Sequence, residues 1–140
     1  MKIQNTICPL FCVLIFGCYQ QDAFEKNRTV YLNAIGSLQS EKNQSNWSGV
    51  IRLPPKFSAA SIDGEAVVST AYTNNFIAVF KTWRGKGSNM EGYLYTSRPL
   101  GKSEIHTNYY GDPVLDVNSV DLVLGKQVQS NWYAVSFRLD

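Results

Sequence analysis

The chain has 140 residues, with 13 Lys and Arg against 11 Asp and Glu, and a formal net charge of +2. The sequence contains no long basic block, and nucleic-acid binding usually requires a concentrated basic face, so the composition argues against a nucleic-acid partner. Aromatic residues make up 13% of the chain and charged residues only 17%. This balance favours one small, β-rich domain with a single core.

The start of the chain, up to Cys18, carries the most specific signal in the sequence. Lys2 precedes an apolar run over residues 7–16, which is too short to cross a bilayer because a spanning helix needs about 20 apolar residues. A charged start, a short apolar stretch and a small residue before a cleavage point are typical of a secretory signal peptide. Residues 14–18 (LIFGC) resemble the lipobox of bacterial lipoproteins, with an aliphatic residue three positions before the cysteine and a small one directly before it.

The lipobox resemblance does not extend beyond Cys18, and it has definite chemical implications. It implies cleavage between Gly17 and Cys18 and a thioether-linked diacylglycerol on Cys18, which becomes the new N-terminus. Tyr19 follows the cysteine, as in lipoproteins that are sorted to an outer membrane. The expected division is a signal peptide over residues 1–17, a lipidated N-terminus with tether and helix over 18–46, and a β domain over 47–140.

The positions of the cysteines and of the N-glycosylation sequons indicate in which cellular compartment the protein resides. All three cysteines lie in this first segment, at Cys8, Cys12 and Cys18, whereas a secreted eukaryotic domain of this size more often carries disulfides. Three acceptor sequons nevertheless keep a secreted, lipid-free glycoprotein as an alternative. They begin at Asn27, Asn43 and Asn46.

The segment after Cys18 predicts a tether followed by a helix. The expected tether runs from residue 19 to about residue 26. Apolar residues then recur at helical spacing and fall on one face of a helix predicted over residues 22–41. The residues of this face are Phe24, Tyr31, Ala34, Ile35 and Leu38.

From Trp47 onwards the pattern changes to the alternation of strands. A strand over residues 47–53 is ended by two prolines, and Asp63-Gly64 predicts a hairpin whose arms are residues 57–62 and 65–72. After a turn at 73–75, residues 76–83 are apolar on both faces. We therefore expect this strand to be central, with the helix covering one side.

The second half continues the sheet. Residues 90–97 form the second arm of a long hairpin, and residues 98–112 form the longest predicted loop. Residues 113–117 and 120–124 are then two short strands or one strand bent near Asn118. Gly125-Lys126 predicts a turn, and the alternation over 133–139 predicts a last strand with one wet face. The sum is an α+β domain with the N-terminal helix packed on a curled antiparallel sheet of six or seven strands.

No motif nominates a catalytic residue, a metal ligand or a cofactor site. His106 is the only histidine, and no nucleophile is marked beside it; one histidine and no free cysteine also argue against zinc. The acidic residues at 112, 116 and 121 do not fit a calcium-binding EF-hand loop. Strand alternation predicts Asp116 and Asp121 on opposite faces.

One constellation mixes aromatic and cationic residues around the 76–97 hairpin and the loop after it. Such groups can bind sugars, peptides or anionic polymers through stacking and cation–π contacts. The competing interpretation places Trp83 and one or both of Tyr93 and Tyr95 in the core and leaves the basic residues as solvated turn charges. The predicted binding surface consists of Trp83, Arg84, Lys86, Arg98, Lys102, Tyr109 and Tyr110.

Together these features predict a small, non-catalytic lipoprotein anchored on the extracytoplasmic side of a bacterial membrane, at an outer membrane or cell surface rather than an inner membrane. It would bind an unidentified envelope protein or polymer. A surface-anchored hydrolase is the main alternative, and it predicts a concave site holding two acidic side chains, one of them partly buried. The secreted glycoprotein without lipid is the other.

Overall fold

The computed structural model describes residues 10–41, 48–72, 75–84, 89–108 and 110–138. Within these ranges the chain forms one long α-helix, a short 3-10 helix and eight strands. In chain order these are α1 (Leu10–Glu41), β1 (Ser48–Arg52), the 3-10 helix (Pro55–Ala60), β2 (Glu65–Tyr72), β3 (Asn75–Arg84), β4 (Asn89–Thr96), β5 (His106–Thr107), β6 (Pro113–Val117), β7 (Val120–Gln129) and β8 (Trp132–Arg138).

The eight strands form a single antiparallel sheet in the order β1-β2-β3-β4-β8-β7-β6-β5. The first four strands follow one another as a meander, and the last four run back from β8, which lies beside β4. The α+β class is therefore confirmed. The predicted count of six or seven strands is wrong, because the long loop expected over residues 98–112 contains the two-residue strand β5.

Helix α1 covers one face of the sheet with the apolar side that its spacing predicts. Phe24, Ala34 and Leu38 are fully buried there, and the ring of Tyr31 packs against Phe80 of β3. The helix ends at Glu41 as expected, but it begins at Leu10 rather than near residue 22. The tether expected from residue 19 to about 26 is wrong, since these residues continue the helix and Phe24 already belongs to the core.

The opposite face of the sheet holds a second buried cluster. Side chains alternate along a strand, so Ala78 and Phe80 of β3 point towards α1 while Ile77 and Val79 point away, and all four are buried. This confirms β3 as a central strand covered on both sides. The second cluster is completed by residues of β4, β6, β7 and β8, with Leu100 and Ile105 of the segment after β4 packed against it.

The partner of β2 differs from the prediction. Residues 57–62 do not form the first arm of a hairpin, because Pro55 opens a 3-10 helix there; the strand paired with β2 is β1. The turn at Asp63-Gly64 is present, with Gly64 at φ 68° and its carbonyl accepting a hydrogen bond from the Leu53 amide at 2.8 Å. Glycine adopts this positive φ without steric cost.

The end of the chain also departs from the prediction. Strand β7 continues through Gly125-Lys126, where the register shifts instead of turning, and the turn before β8 lies at Asn131, which has φ 65°. The predicted wet face of β8 is only partly wet. Ala134 is buried on the helix side with Trp132, whereas Ser136 is exposed. Phe137 lies in the other buried cluster, as its alternation predicts.

Candidate functional site

An open groove of about 440 Å³ lies where α1, the 3-10 helix and β3 meet. Its volume falls in the range of small-ligand sites, roughly 300–1,000 Å³. Most of its lining is small or polar, and the 3-10 helix supplies the largest share. The lining residues are Asn27, Tyr31, Ser58, Ala59, Ala60, Ser61, Ile62, Lys81 and Thr82.

An ion pair fixes the rim of this groove. The Lys81 ammonium pairs with the Asp63 carboxylate, and both side chains are largely shielded, at 14% and 28% exposed. The Ser61 hydroxyl donates to the same carboxylate at 3.0 Å, and the Ile62 amide donates to the Lys81 carbonyl at 2.8 Å. These bonds join the segment after the 3-10 helix to β3, so the groove wall is held from two sides.

The pKa values of Asp63 and Tyr31 are both shifted further from neutral pH. Burial alone would raise the pKa of Asp63, but hydrogen bonds from Lys81 and Ser61 and the charge of Lys81 outweigh it and leave the pKa below its ordinary value. Burial, aided by the neighbouring Tyr93, raises the pKa of Tyr31 far above its ordinary value. Asp63 is therefore a carboxylate and Tyr31 a neutral phenol at neutral pH.

This arrangement suits binding better than catalysis. A general base works best with a pKa near the operating pH, and Asp63 is shifted in the opposite direction. Ser61 has its proton directed at that weak base. The described residues that line the groove include no carboxylate, and Asp63 is bonded to two of them without lining it. The paired carboxylates that the hydrolase alternative requires are therefore not found here. The side chains of Asn27, Ser58, Ser61 and Thr82 each already donate a hydrogen bond within the fold. Their oxygens can still accept hydrogen bonds from a polar ligand.

The predicted aromatic–cationic surface is divided between two ends of the β3–β4 hairpin. Trp83 is 54% exposed and lies opposite Glu91, near the start of β4, while Arg98 follows the end of the same strand. The eight residues of β4 separate these ends by about 25 Å at 3.3 Å per residue. Between them, Tyr93 is buried in the helix-side core and Tyr95 is partly buried against it, as the competing interpretation expects of the tyrosines. Its placement of Trp83 in the core is wrong, because Trp83 is exposed.

Arg98 is engaged inside its own segment. Its guanidinium meets the Glu104 carboxylate through two bonds of 2.9 Å, and Glu104 also accepts the Gly101 amide at 2.7 Å. The Glu104 side chain is only 7% exposed. A bidentate arginine–carboxylate pair of this kind fixes the geometry of its segment. The position of Arg98 is therefore explained by its structural role in the segment after β4.

The remaining predicted surface residues fall into three groups. Lys102 and Tyr110 are exposed in the segment between β4 and β6, Tyr110 at 84%. Arg84 is the last residue of β3. Lys86 and Tyr109 lie outside the described residues. The structure therefore brings together no more than parts of the predicted surface.

The groove residues were missed by the sequence reasoning, which assigned residues 57–62 to a strand. The signal that could have identified the groove wall is Pro54-Pro55 followed by small residues. The proline ring holds φ in the helical range and suits the first position of a helix, and here Pro55 opens the 3-10 helix. The run of serine and alanine after it leaves space between this element and α1.

The prediction that Asp116 and Asp121 lie on opposite faces of the sheet is wrong. Asp116 and Asp121 lie directly opposite each other in the ladder, and therefore on one face, because a turn at Asn118-Ser119 separates the two strands. His106 is exposed and lies 3.8 Å from Asp121. Within the described ranges, no three His, Cys, Asp or Glu side chains are grouped so that they could hold a metal ion.

The lipobox residues lie in the first part of α1. The backbone of Gly17 and Cys18 is helical, and the helix continues from there without interruption into the part that packs on the sheet. In the portion of the chain that the structure describes, no helix is long and apolar enough to cross a membrane.

No protein-family model matches the chain, and no curated protein or solved structure is significantly similar to it.

Proposed function

We propose that this protein is a small, non-catalytic lipoprotein, anchored through lipid on Cys18 to the extracytoplasmic side of a bacterial membrane, and that it binds an envelope protein or polymer. The observation that carries the proposal is the sequence LIFGC at residues 14–18, which follows a short apolar run behind Lys2. An outer membrane or cell surface is the proposed location, because Tyr19 and not an aspartate follows the cysteine.

Lipid chemistry gives the anchor its strength. Each buried methylene contributes about 0.8 kcal/mol and a single chain holds a protein only reversibly, so the two chains of a diacylglycerol make a lasting anchor. The domain then needs no apolar membrane-inserting surface of its own. This agrees with α1, whose large apolar side chains from Phe24 onwards, except the exposed Leu32, are directed into the core.

The groove between α1, the 3-10 helix and β3 is the proposed binding place. The oxygens of its hydroxyl and amide groups remain as acceptors, and the charges of Asp63 and Lys81 neutralise each other. These features and the open shape of the groove favour a polar, uncharged portion of a ligand. Tyr31 in the groove wall follows Cys18 by 13 residues, which is about 20 Å along a helix at 1.5 Å per residue. An anchored chain would thus hold the groove clear of the lipid head groups.

Intact-mass analysis of the mature N-terminal peptide tests the anchor. The full chain is expressed in a bacterium, membrane fractions are isolated, and the peptide is compared between the wild type, Cys18→Ala and Cys12→Ala. We expect a peptide that starts at an acylated Cys18 in the wild type and in Cys12→Ala, since residue 12 lies in the segment that is removed. Cys18→Ala should lose the lipid and leave the membrane fraction.

Two results would contradict the proposal. An unmodified N-terminus elsewhere in the chain would remove its main support. A mobility shift on glycosidase treatment, in a eukaryotic host and without lipid, would favour the secreted glycoprotein with sugar on Asn27, Asn43 or Asn46 instead.

A further inference from the structure

We propose that the bend of β7 around Lys126 is the surface that rests on phospholipid head groups when the chain is anchored. This inference rests on the proposed function, because it takes lipid on Cys18 as its starting point. It adds the orientation of the domain and the side chain that contacts the lipid phosphates.

Helix α1 acts as a short and rigid link between the anchor and the sheet. Cys18 and Gln21 belong to the same uninterrupted helix, and Gln21 follows Cys18 by three positions, a rise of about 4.5 Å. Phe24, the first fully buried side chain among those described, follows one turn later. No flexible segment lies between Cys18 and the packed part of the helix, and the elements beside Gln21 must therefore lie close to the bilayer.

The element beside Gln21 is the irregular middle of β7. The Lys126 ammonium donates a hydrogen bond to the Gln21 side-chain oxygen at 3.2 Å, although the two residues are far apart in sequence. The ladder between β7 and β8 shifts register from Leu124 to Gln127. Gly125, Lys126 and Gln127 are all exposed in this interruption, as expected where a bulge breaks the alternation of a strand.

The charges near this bend favour contact with phosphate. Between residues 21 and 28 of α1, two acidic and two basic side chains balance in number, and Glu25 lies 4.0 Å from Arg28. Lys126 adds one positive charge to this described group. Its flexible stem lets the ammonium extend, and charges act over about 8 Å at physiological ionic strength. Lys126 can exchange Gln21 for a lipid phosphate without any change in the fold.

The 3-10 helix lies farther from Cys18 than the bend of β7 does, so it supplies the control position for measuring distance from the head groups. It packs beside Asn27 and Tyr31 of α1, which follow Cys18 by 9 and 13 residues, or about 14 to 20 Å along the helix axis. Lys56 on this element is exposed. A probe at position 56 should therefore lie farther from the head groups than a probe at position 127.

Lipid quenching of a fluorescent label tests this orientation. The full chain carrying Gln127→Cys or Lys56→Cys is extracted from membranes with its lipid and reconstituted in vesicles of phosphatidylethanolamine and phosphatidylglycerol. With Cys8 and Cys12 removed and Cys18 acylated, the introduced cysteine is the only free thiol, and it receives the label. We expect a head-group spin-labelled lipid to quench the label several-fold more strongly at 127 than at 56.

A second pair of variants tests whether Lys126 itself contributes to the contact with the head groups. Lys126→Gln, added to Gln127→Cys, should lower the quenching at 127, whereas Lys56→Gln in the same background should leave it unchanged. Equal quenching at 127 and 56, in protein that floats with the vesicles, would overturn the orientation and leave the anchor intact. Protein that does not float and carries an unmodified Cys18 would overturn both.

Discussion

The two faces of the sheet are buried in different ways. On the helix side, large rings do most of the filling: Phe24 and Tyr31 from α1 meet Tyr93 and Trp132 at centroid distances of 5.1 to 5.7 Å. On the other side, aliphatic side chains from several strands predominate. The first face is therefore covered by α1 and filled by a few large rings. The second face is buried by many aliphatic side chains that come from the strands themselves.

This difference predicts two kinds of failure. Loss of a ring on the helix side removes the surface on which α1 packs, so a whole element can detach. Loss of an aliphatic side chain on the other side leaves a local cavity within strands that remain hydrogen-bonded. The four predictions below test this contrast, from the largest expected effect to the smallest.

Trp132→Ala should have the largest effect. Trp132 is 1% exposed and contacts rings from α1, β3 and β4, so its removal should lower the free energy of unfolding by about 3–5 kcal/mol and loosen α1. Urea unfolding and amide hydrogen exchange of α1 measure both effects. The control is Trp83→Ala at a 54% exposed position, which should change stability by under about 0.5 kcal/mol. Equal losses in the two variants would contradict the helix-side packing.

Leu94→Ala should destabilise the other face without releasing the helix. Leu94 is fully buried in the aliphatic cluster, and the cavity should lower the free energy of unfolding by about 2–4 kcal/mol. Exchange protection of α1 relative to the sheet should stay as in the wild type. Leu32→Ala, at a 45% exposed helix position, is the matched control. Selective loss of protection in α1 would show that the two faces are not independent.

Gly92→Ala tests how closely β3 and β4 approach between the two clusters. A Cβ at Gly92 would stand 2.1 Å from the Phe80 carbonyl oxygen, so backbone must shift, and we expect a loss of about 1–3 kcal/mol. The same substitution at Gly36 meets nothing within 4 Å and should instead stabilise the helix by about 0.5–1 kcal/mol. Thermal melting curves of the pair should move in opposite directions, and a shift of both in one direction would refute the close approach.

Asp63→Asn should have the smallest effect, and one that depends on pH. The folded-state pKa of Asp63 is lowered, so its carboxylate stabilises the fold above the unfolded-state pKa of about 3.9, and this contribution is lost as pH falls through the folded-state pKa. We expect wild type to exceed the variant by about 1 kcal/mol at pH 7, with the difference shrinking below pH 4 or so. The 70% exposed Asp121, changed to Asn, is the control. A difference that stays constant with pH would contradict the ion pair.

Periodicity predicted the elements whose burial is regular. The helix face from Phe24 to Leu38, the two-sided burial of β3 and the β3–β4 hairpin follow from spacing alone. The start of α1 at Leu10 is not predicted, because the sequence pattern assigns the same residues to an apolar signal segment and a tether. Gly125 was assigned to a turn because glycine marks turns and bulges alike, and only the partner strand distinguishes them.

Pro54-Pro55 could have indicated the 3-10 helix of the groove wall, but no local pattern indicates which other elements meet it. The groove joins residues of α1, the 3-10 helix and β3, and each set is ordinary within its own segment. The aromatic–cationic surface failed for the opposite reason. Its members are close in sequence, but a straight strand places Trp83 and Arg98 at opposite ends. Proximity along a strand pair must be judged by register.

The strand order also sets how the chain must assemble. Each meander is built from neighbouring hairpins, which close short loops and form quickly. The β4–β8 ladder is different, since the Thr96 hydroxyl meets the Asn131 carbonyl across 35 residues, and closing a longer loop costs more chain entropy. This seam carries Trp132 and the central contacts of α1. Joining the two halves is thus the step that should limit the folding rate, and the tryptophan at the seam should report it in stopped-flow fluorescence.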